Sequence, residues 1–383
     1  MLSEERDLLA LSLVPGIGPR LSQTLLERFR SATRVLAASV EELQTVPQIG
    51  VKTARQLAMA FSQVAVENEI EEMVRQEVSL VSYDKPTYPS RLKTISDYPS
   101  LLYVKGKLLS TDDRAVAIVG SRQCTTYGRK MAEKMAVGLS QAGYTIVSGL
   151  ARGIDGFAHQ ATLEAKGRTL AVLAGGLSKI YPPEHAALAS QVAMQGALIS
   201  ETAMKLAPQR GMFHNRNRLI SGLSRAVIII EANEKSGALI TARHAAEQDR
   251  TVLVVPANAD AMTSAGSLRL IRDGARLVRG IDDVLEDLNE LSVQRYSLFK
   301  DDQLGEESMS LANADPADLP KAGPPEGLSE EEVRIWQFLE ENRHVDEVSH
   351  FSQIPISRLS GILMKMEMRK TIQRLAGNYY ARR

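Results

Sequence analysis

Six short aliphatic runs constrain the fold of this chain more than any other feature. They are Ala115–Val119, Thr145–Ser148, Thr169–Ala174, Ala197–Ser200, Ala226–Glu231 and Thr251–Val255. Amphipathic segments of about 10 to 15 residues separate most of them. The segment that begins at Tyr127 carries Met131, Met135, Ala136 and Leu139 at helical spacing. A strand that is apolar at nearly every position is buried on both sides, so the pattern predicts a parallel sheet with helices over both faces. Strand signals also appear at SLVSYD, just after Val78, and at the end of a proline-punctuated connection reaching Gly106. Ligands of such sheets sit at the carboxyl ends of the strands.

Those strand ends carry glycine and polar residues. The first run stops at Gly120, and Ser121 and Arg122 follow where the chain must turn into a helix. Backbone N–H groups, a hydroxyl and a guanidinium gathered there make an anion cradle. The second run leads into Gly149, Arg152 and Gly153, the third into Gly175 and Gly176, and the fifth into Ser236 and Gly237 before another helix. Glycine at such a turn lets a ligand approach the backbone, and four such turns in register point to a phosphate-rich ligand.

The ligand class is narrowed by what is missing. No G-x-G-x-x-G follows the first strand, no phosphate-binding G-x-x-x-x-G-K-[ST] occurs, and there is no nucleophile elbow. The six histidines show no metal-ligand spacing and the lone Cys124 cannot help them, so no metal and no cofactor are expected. No run is long enough to span a membrane. Formal net charge is zero, so a nucleic-acid reading must rest on local patches. One patch qualifies: Gln209 to Ser224 holds Arg210, Arg216 and Arg218 around Phe213, with no acidic residue. A ring interleaved with arginines suits a single strand of nucleic acid, the ring stacking on a base and the guanidinium groups bonding phosphates. The same stretch also reads as a loop whose Phe packs inward and whose arginines are solvated or pair with Glu201. Asp155 and His159, one helical turn apart, read as a cap and an intra-helical hydrogen bond, and Cys124 as a packing residue.

Residues 1–77 read as a bundle of short helices. LVPGIGPRL from Leu13 and TVPQIGVKTA from Thr45 share a pattern of apolar residue, Pro, Gly-bearing turn, basic residue and new helix, with Gln48 where the first copy has Gly16. The pattern resembles a helix-hairpin-helix, whose glycines let N–H groups approach a DNA phosphate; alternatively the turns only connect helices. Residues 78–295 form the sheet domain. Residues 296–327 are acidic, proline-bearing and poor in large apolar residues, as in a flexible linker. In 328–383, Ser329 and Glu332 form a capping box, three helical segments follow, and TIQRLAGNYYARR closes as a hairpin turning at Gly377-Asn378. This is the pattern of a winged helix, basic at Arg358, Lys365, Arg369, Lys370, Arg374, Arg382 and Arg383. It suits either DNA contact or partner docking.

Several motifs together resemble the bacterial DNA-processing protein A family, also called Smf. They are IVGSR from Ile118, VSGLARGIDGFAH from Val147, AVLAGGL from Ala171, YPPEH from Tyr181, FHNRNRLISGLS from Phe213, EANEKSGALITARHAAEQDR from Glu231 and VVPAN from Val254. The resemblance covers the central domain nearly end to end. It implies an α/β chain whose extended Rossmann-like domain is flanked by a helical, SAM-like helix-hairpin-helix domain and a winged helix. It implies single-stranded DNA binding, a homodimer, and the loading of RecA recombinase during natural transformation, with single-strand-binding protein as a further partner. Ser121 and Arg122 would contact phosphate, Arg210 the DNA backbone, and Phe213 would stack a base. Asn217 and Arg218 fall on the family's RNR signature, and Ser236, Gly237 and Leu239 to Ala242 on its SG-LITA signature. A dimerisation region would include Leu268, Ile271 and Leu277. This chain departs from the family at His214 and at Ala257, where proline and glycine are usual, and at the turn Ala265 to Ser267.

The reading is a cytoplasmic, non-enzymatic protein that grips single-stranded DNA through Gly120, Ser121, Arg122, Gly149, Arg152, Arg210, Phe213, Arg216, Asn217, Arg218, Ser236 and Gly237. Two rivals stand beside it. One is a nucleotide-processing enzyme of the phosphoribohydrolase type, whose Gly-Gly-x-Gly-Thr-x-x-Glu signature is absent here. The other is a scaffold that holds partners through its terminal domains.

Overall fold

The computed structural model describes residues 3–288, 328–339, 343–369, 371–375 and 379–382. The chain divides into two compact units, Met1–Gln303 and Leu304–Arg383. The expected linker lies outside the described residues, as does the expected Gly377-Asn378 turn.

The first unit opens with six helices, α1 (Ser3–Leu13), α2 (Pro19–Phe29), α3 (Ala32–Leu36), α4 (Val40–Gln44), α5 (Val51–Phe61) and α6 (Glu67–Arg75). The two hairpin turns have matching backbones: Gly16 has φ 91° and Gln48 has φ 70°. Gln48 therefore adopts the left-handed conformation its glycine counterpart takes freely. Leu9, Leu11, Leu25 and Leu43 share one core with Val78, Leu101, Tyr103 and Leu198. The boundary near residue 77 is thus a change of element type within one compact unit.

Nine strands follow: β1 (Val78–Ser82), β2 (Leu101–Gly106), β3 (Ala115–Gly120), β4 (Thr145–Ser148), β5 (Thr169–Val172), β6 (Ala197–Ser200), β7 (Ala226–Ile230), β8 (Thr251–Val254) and β9 (Arg276–Leu277). They form one sheet in the order β1-β2-β6-β5-β4-β3-β7-β8-β9. All six runs picked from the sequence are strands, and the pairs from β6 to β9 are parallel. The β1–β2 hairpin extends one edge in antiparallel fashion.

The helices between strands are α7 (Thr126–Gln141), α8 (Ile154–Glu164), α9 (Ala186–Gln195), α10 (Arg210–Gly222), α11 (Ala238–Glu247), α12 (Ala265–Arg272) and α13 (Ile281–Asp287). Strand residues alternate between the two faces. Val116, Ile118, Ile228 and Ile230 pack beneath α7, α8 and α13, whereas Ala117, Val119, Val227 and Ile229 pack beneath α10 and α11. The chain winds outward from β3 to β6 and then returns to place β7 on the other side of β3. Helix α7 leaves β3 over one face and α11 leaves β7 over the other. A crevice opens above such a reversal point.

The second unit contains α14 (Glu330–Phe338), β10 (Arg343–His344), α15 (Val345–Ser352), α16 (Ile356–Met368), β11 (Ile372–Leu375) and β12 (Tyr379–Arg382), with strand order β10-β12-β11. Ser329 and Glu332 make the expected reciprocal cap. Ile335, Trp336, Leu359, Leu363 and Met366 form the core. Three of the basic residues are held within this unit. Arg358 pairs with Glu331 and Arg369 with Glu332, while Arg382 lies 4.0 Å over the Trp336 ring.

Candidate nucleic-acid interface

The crevice above β3 and β7 is an open cleft of about 800 Å³. Gly120, Ser121, Arg122, Arg152, Arg210 and Phe213 line it, with Ser236 and Gly237 at its lip, where α11 starts. Arg216, Asn217 and Asp155 form its floor. The fold therefore gathers ten of the twelve residues chosen from the sequence, although they lie on three separate turns and one helix. Gly149 opens on an adjoining recess instead, and Arg218 lies outside the cleft.

The exposed guanidinium of Arg122 stands 5.3 Å from the centroid of the Phe213 ring. That distance is within the range of a cation–π contact. Phe213 in turn meets Tyr181 edge to face, with centroids 5.6 Å apart. Arg152 also faces the cleft, and its Nε donates to Glu184 Oε1 at 2.5 Å. Lys235 joins the lining, exposed beside Ser236. Tyr181 and Lys235 were missed as site residues. Lys235 had a signal, a cation next to the Ser-Gly turn; Tyr181 became visible only when its loop folded onto Phe213.

Four expectations need correction, three of them because the protein's own groups occupy the place assigned to a ligand. The first concerns the cradle at β3. Ser121 N–H donates to Ile230 O at 3.4 Å, and Gln123 N–H donates to Ser121 Oγ at 3.1 Å. The start of α7 is filled by the buried Glu231 carboxylate, which accepts from Thr125 N–H at 2.7 Å and from the Thr125 hydroxyl. An internal anion thus meets the positive end of that helix.

The second concerns the glycines. At Gly149 a Cβ would lie 2.1 Å from Arg216 Nη1, so the missing side chain admits a guanidinium rather than a ligand. Gly175 and Gly176 are pressed against the backbone of residues 203–208 in the same way. Gly237 has nothing within 4 Å and remains open to the cleft.

The third concerns the arginines of α10. Arg216 is buried and its Nη1 donates to Gly149 O at 2.6 Å and Val172 O at 2.5 Å. Burial brings its pKa down to about 10, which leaves it charged at neutral pH. Asp155 lies near it and accepts from Gly149 N–H at 3.0 Å; burial pushes its carboxyl up, opposed mainly by Arg216. Together they fix the turn that carries Arg152. Arg218 pairs with Glu201, the partner the alternative reading named, and donates to Asp97 O at 2.6 Å, although the stretch is a helix and not a loop. It is a structural cation, not a phosphate ligand. Asn217 faces the cleft while its side chain donates to Gly237 O at 3.2 Å, tying α10 to the lip.

The fourth concerns Asp155 and His159, which make no hydrogen bond to each other. His159 Nδ1 lies 2.7 Å from Thr169 Oγ1, and burial lowers its pKa to about 3.

The helical region braces the cleft. Glu69 accepts from Met204 N–H at 2.6 Å and Glu72 from the Ser178 hydroxyl at 2.6 Å. These bonds anchor the loops that bear Tyr181 and lead into Arg210. Arg75 and Ser178 hold the Glu72 carboxyl down at about 2. Cys124 is half-buried against the α7 side of the core, and burial raises its thiol pKa. Of the residues expected at a dimer contact, Leu277 is exposed on edge strand β9, and Leu268 and Ile271 are half-buried on α12. Among the described residues no group of three or more His, Cys, Asp or Glu could hold a metal ion, and no helix is long and apolar enough to cross a membrane.

The family profile for DNA recombination-mediator protein A matches residues 79–289, more than half of the chain. Protein Smf of Synechocystis is 33% identical over 395 residues, covering 100% of this chain and 99% of that protein. This chain belongs to the DNA recombination-mediator protein A family. DNA processing protein DprA of Bacillus subtilis is 37% identical, over 74% of this chain and 96% of that one. The X-ray structure of DNA processing protein A from Streptococcus pneumoniae superimposes with a TM-score of 0.66 at 32% identity, covering 75% of this chain and 98% of that one. A structure from Helicobacter pylori, described for the single-stranded DNA binding mode of its DNA processing protein A, gives 0.51 at 29% identity over 56% of this chain and 96% of that one. A tandem helix-hairpin-helix profile matches residues 6–63, and the winged-helix profile of DprA matches 319–378. Both flanking regions thus agree with the architecture expected from the sequence.

Proposed function

We propose that this protein binds single-stranded DNA in the cleft above β3 and β7, shields it, and hands it to RecA recombinase without chemistry on the strand. The observation that carries the reading is the row formed by Arg122, Phe213 and Tyr181, with Arg210 and Lys235 along the same trough. A flexible polyanion offers phosphates to the cations and base faces to the rings at once. The phosphate of a free nucleotide is suited to a helix N-terminus, and at α7 the Glu231 carboxylate fills that place. The single-stranded DNA binding described for the Helicobacter pylori relative supports the same ligand class. The further parts of the proposal rest on the family resemblance. They are recombinase loading in natural transformation, a homodimer through the Leu268, Ile271 and Leu277 region, contact with single-strand-binding protein, and a cytoplasmic, non-enzymatic role.

Fluorescence anisotropy with a single-stranded oligonucleotide across a salt series tests the core of this. Log affinity should fall linearly with log salt, by about 0.7 per phosphate neutralised. Arg122→Ala should reduce that slope by about 0.7 and weaken binding to all sequences alike. A preference for duplex, or an unchanged slope in Arg122→Ala, overturns the reading.

A further inference from the structure

Phe213 has an aromatic neighbour, Tyr181, whose side chain hydrogen-bonds Arg152 while its ring stays exposed. Tyr181 sits in the loop after β5 with 43% of its surface open, and it lines both the cleft and the adjoining recess. The loop is held on both sides of it, by Ser178 bonded to Glu72 and by Glu184 paired with Arg152. The ring is therefore presented from a braced position. Its plane is inclined at 63° to that of Phe213.

Resting on the single-stranded DNA reading above, we propose that Tyr181 is a second base-contacting residue, and that the angle between the two rings selects strands whose neighbouring bases are unstacked. A base stacks by laying its π-face on a ring. Two neighbouring bases placed on two rings inclined at 63° are themselves inclined by a similar angle. In a duplex, successive bases are parallel and about 3.4 Å apart, so no duplex step satisfies both rings. A single strand satisfies them by swivelling about its backbone. Among single strands, a thymine run, with little self-stacking to undo, fits more readily than an adenine run.

The test uses the full chain and three probes of equal length: a thymine oligonucleotide, an adenine oligonucleotide and a duplex. Wild type should rank them in that order. Tyr181→Ala should weaken thymine binding about 5- to 150-fold, the range of one lost base–ring stack. It should weaken the other two less, so that both affinity ratios fall toward one. Tyr181→Phe should behave as wild type, because the ring and not the hydroxyl is at work. Thermal unfolding checks that each variant is folded. Wild type that binds the thymine probe with the expected salt slope, beside a Tyr181→Ala that loses nothing or loses equally on all three probes, overturns this proposal alone. So does a Tyr181→Phe that matches Tyr181→Ala. Wild type that fails to bind the thymine probe overturns the functional reading and this proposal with it.

Discussion

The first turn of α10 and its later turns differ in burial more than in composition. Arg210 and His214 stand in solvent, and Phe213 faces the cleft half-buried. Arg216 and Arg218, on the same helix, are buried at 4% and 5% exposure with fixed carbonyl and carboxylate acceptors. An arginine whose donors are already engaged by the fold holds the site in shape. One left at the surface keeps its donors for a ligand that arrives later. Residue type alone does not separate the two roles; what packs above the helix does.

The contrast predicts a stability effect first. Arg218→Ala leaves the half-buried Glu201 without its cation and should cost about 3 kcal/mol, the lower end for a buried pair, read as a lower denaturant midpoint. Arg210→Ala should stay within about 0.5 kcal/mol. Equal losses at the two positions would break the comparison.

His159 sharpens it through pH. Its folded pKa of about 3 lies below the 6.5 of an unexposed-to-charge, unfolded histidine. As pH falls below 6.5 the unfolded chain takes up a proton that the folded one refuses, so stability is full above 6.5 and declines toward 3. The loss should reach about 2 kcal/mol by pH 5. His159→Gln should flatten the profile between pH 6.5 and 5; an unchanged profile would assign the pH dependence to other groups, the raised Asp155 carboxyl among them.

Phe213→Ala should reverse the pattern of Arg218→Ala. Single-strand affinity should fall by about 1–3 kcal/mol while the unfolding midpoint barely moves. The smallest expected effect is a coupling. Because Arg122 stands over the Phe213 ring, the double variant should depart from the sum of the singles by about 0.5–1 kcal/mol in binding. Strict additivity would mean that the two side chains meet the strand independently.

Much of the fold was legible because strand burial leaves a dense signal. Each of the six aliphatic runs became a strand, since a segment covered on both faces has no polar positions to spare. The β1–β2 hairpin was recognisable as strands, but nothing in its residues told which edge it joins or in which direction. The two-residue β9 is too short to carry a pattern. At the site, Ser121, Arg122, Phe213 and Ser236 were legible as polar or aromatic groups at strand and helix ends, where side chains face a crevice. Arg218 and Gly149 were misread because local sequence does not show that a long side chain turns inward, or that a glycine makes room for the protein's own guanidinium.

By itself the amino-acid order determined the alternation of strands and helices, and with it the end of the sheet on which any ligand must sit. Tertiary structure alone decided which cations face that ligand. It put Glu231 against the α7 terminus, Glu201 against Arg218, and Tyr181 beside Phe213, across separations of 106, 17 and 32 residues. The physical reason is that periodicity is a property of neighbours along the chain. The fate of a charge depends on which distant groups folding brings within hydrogen-bond reach.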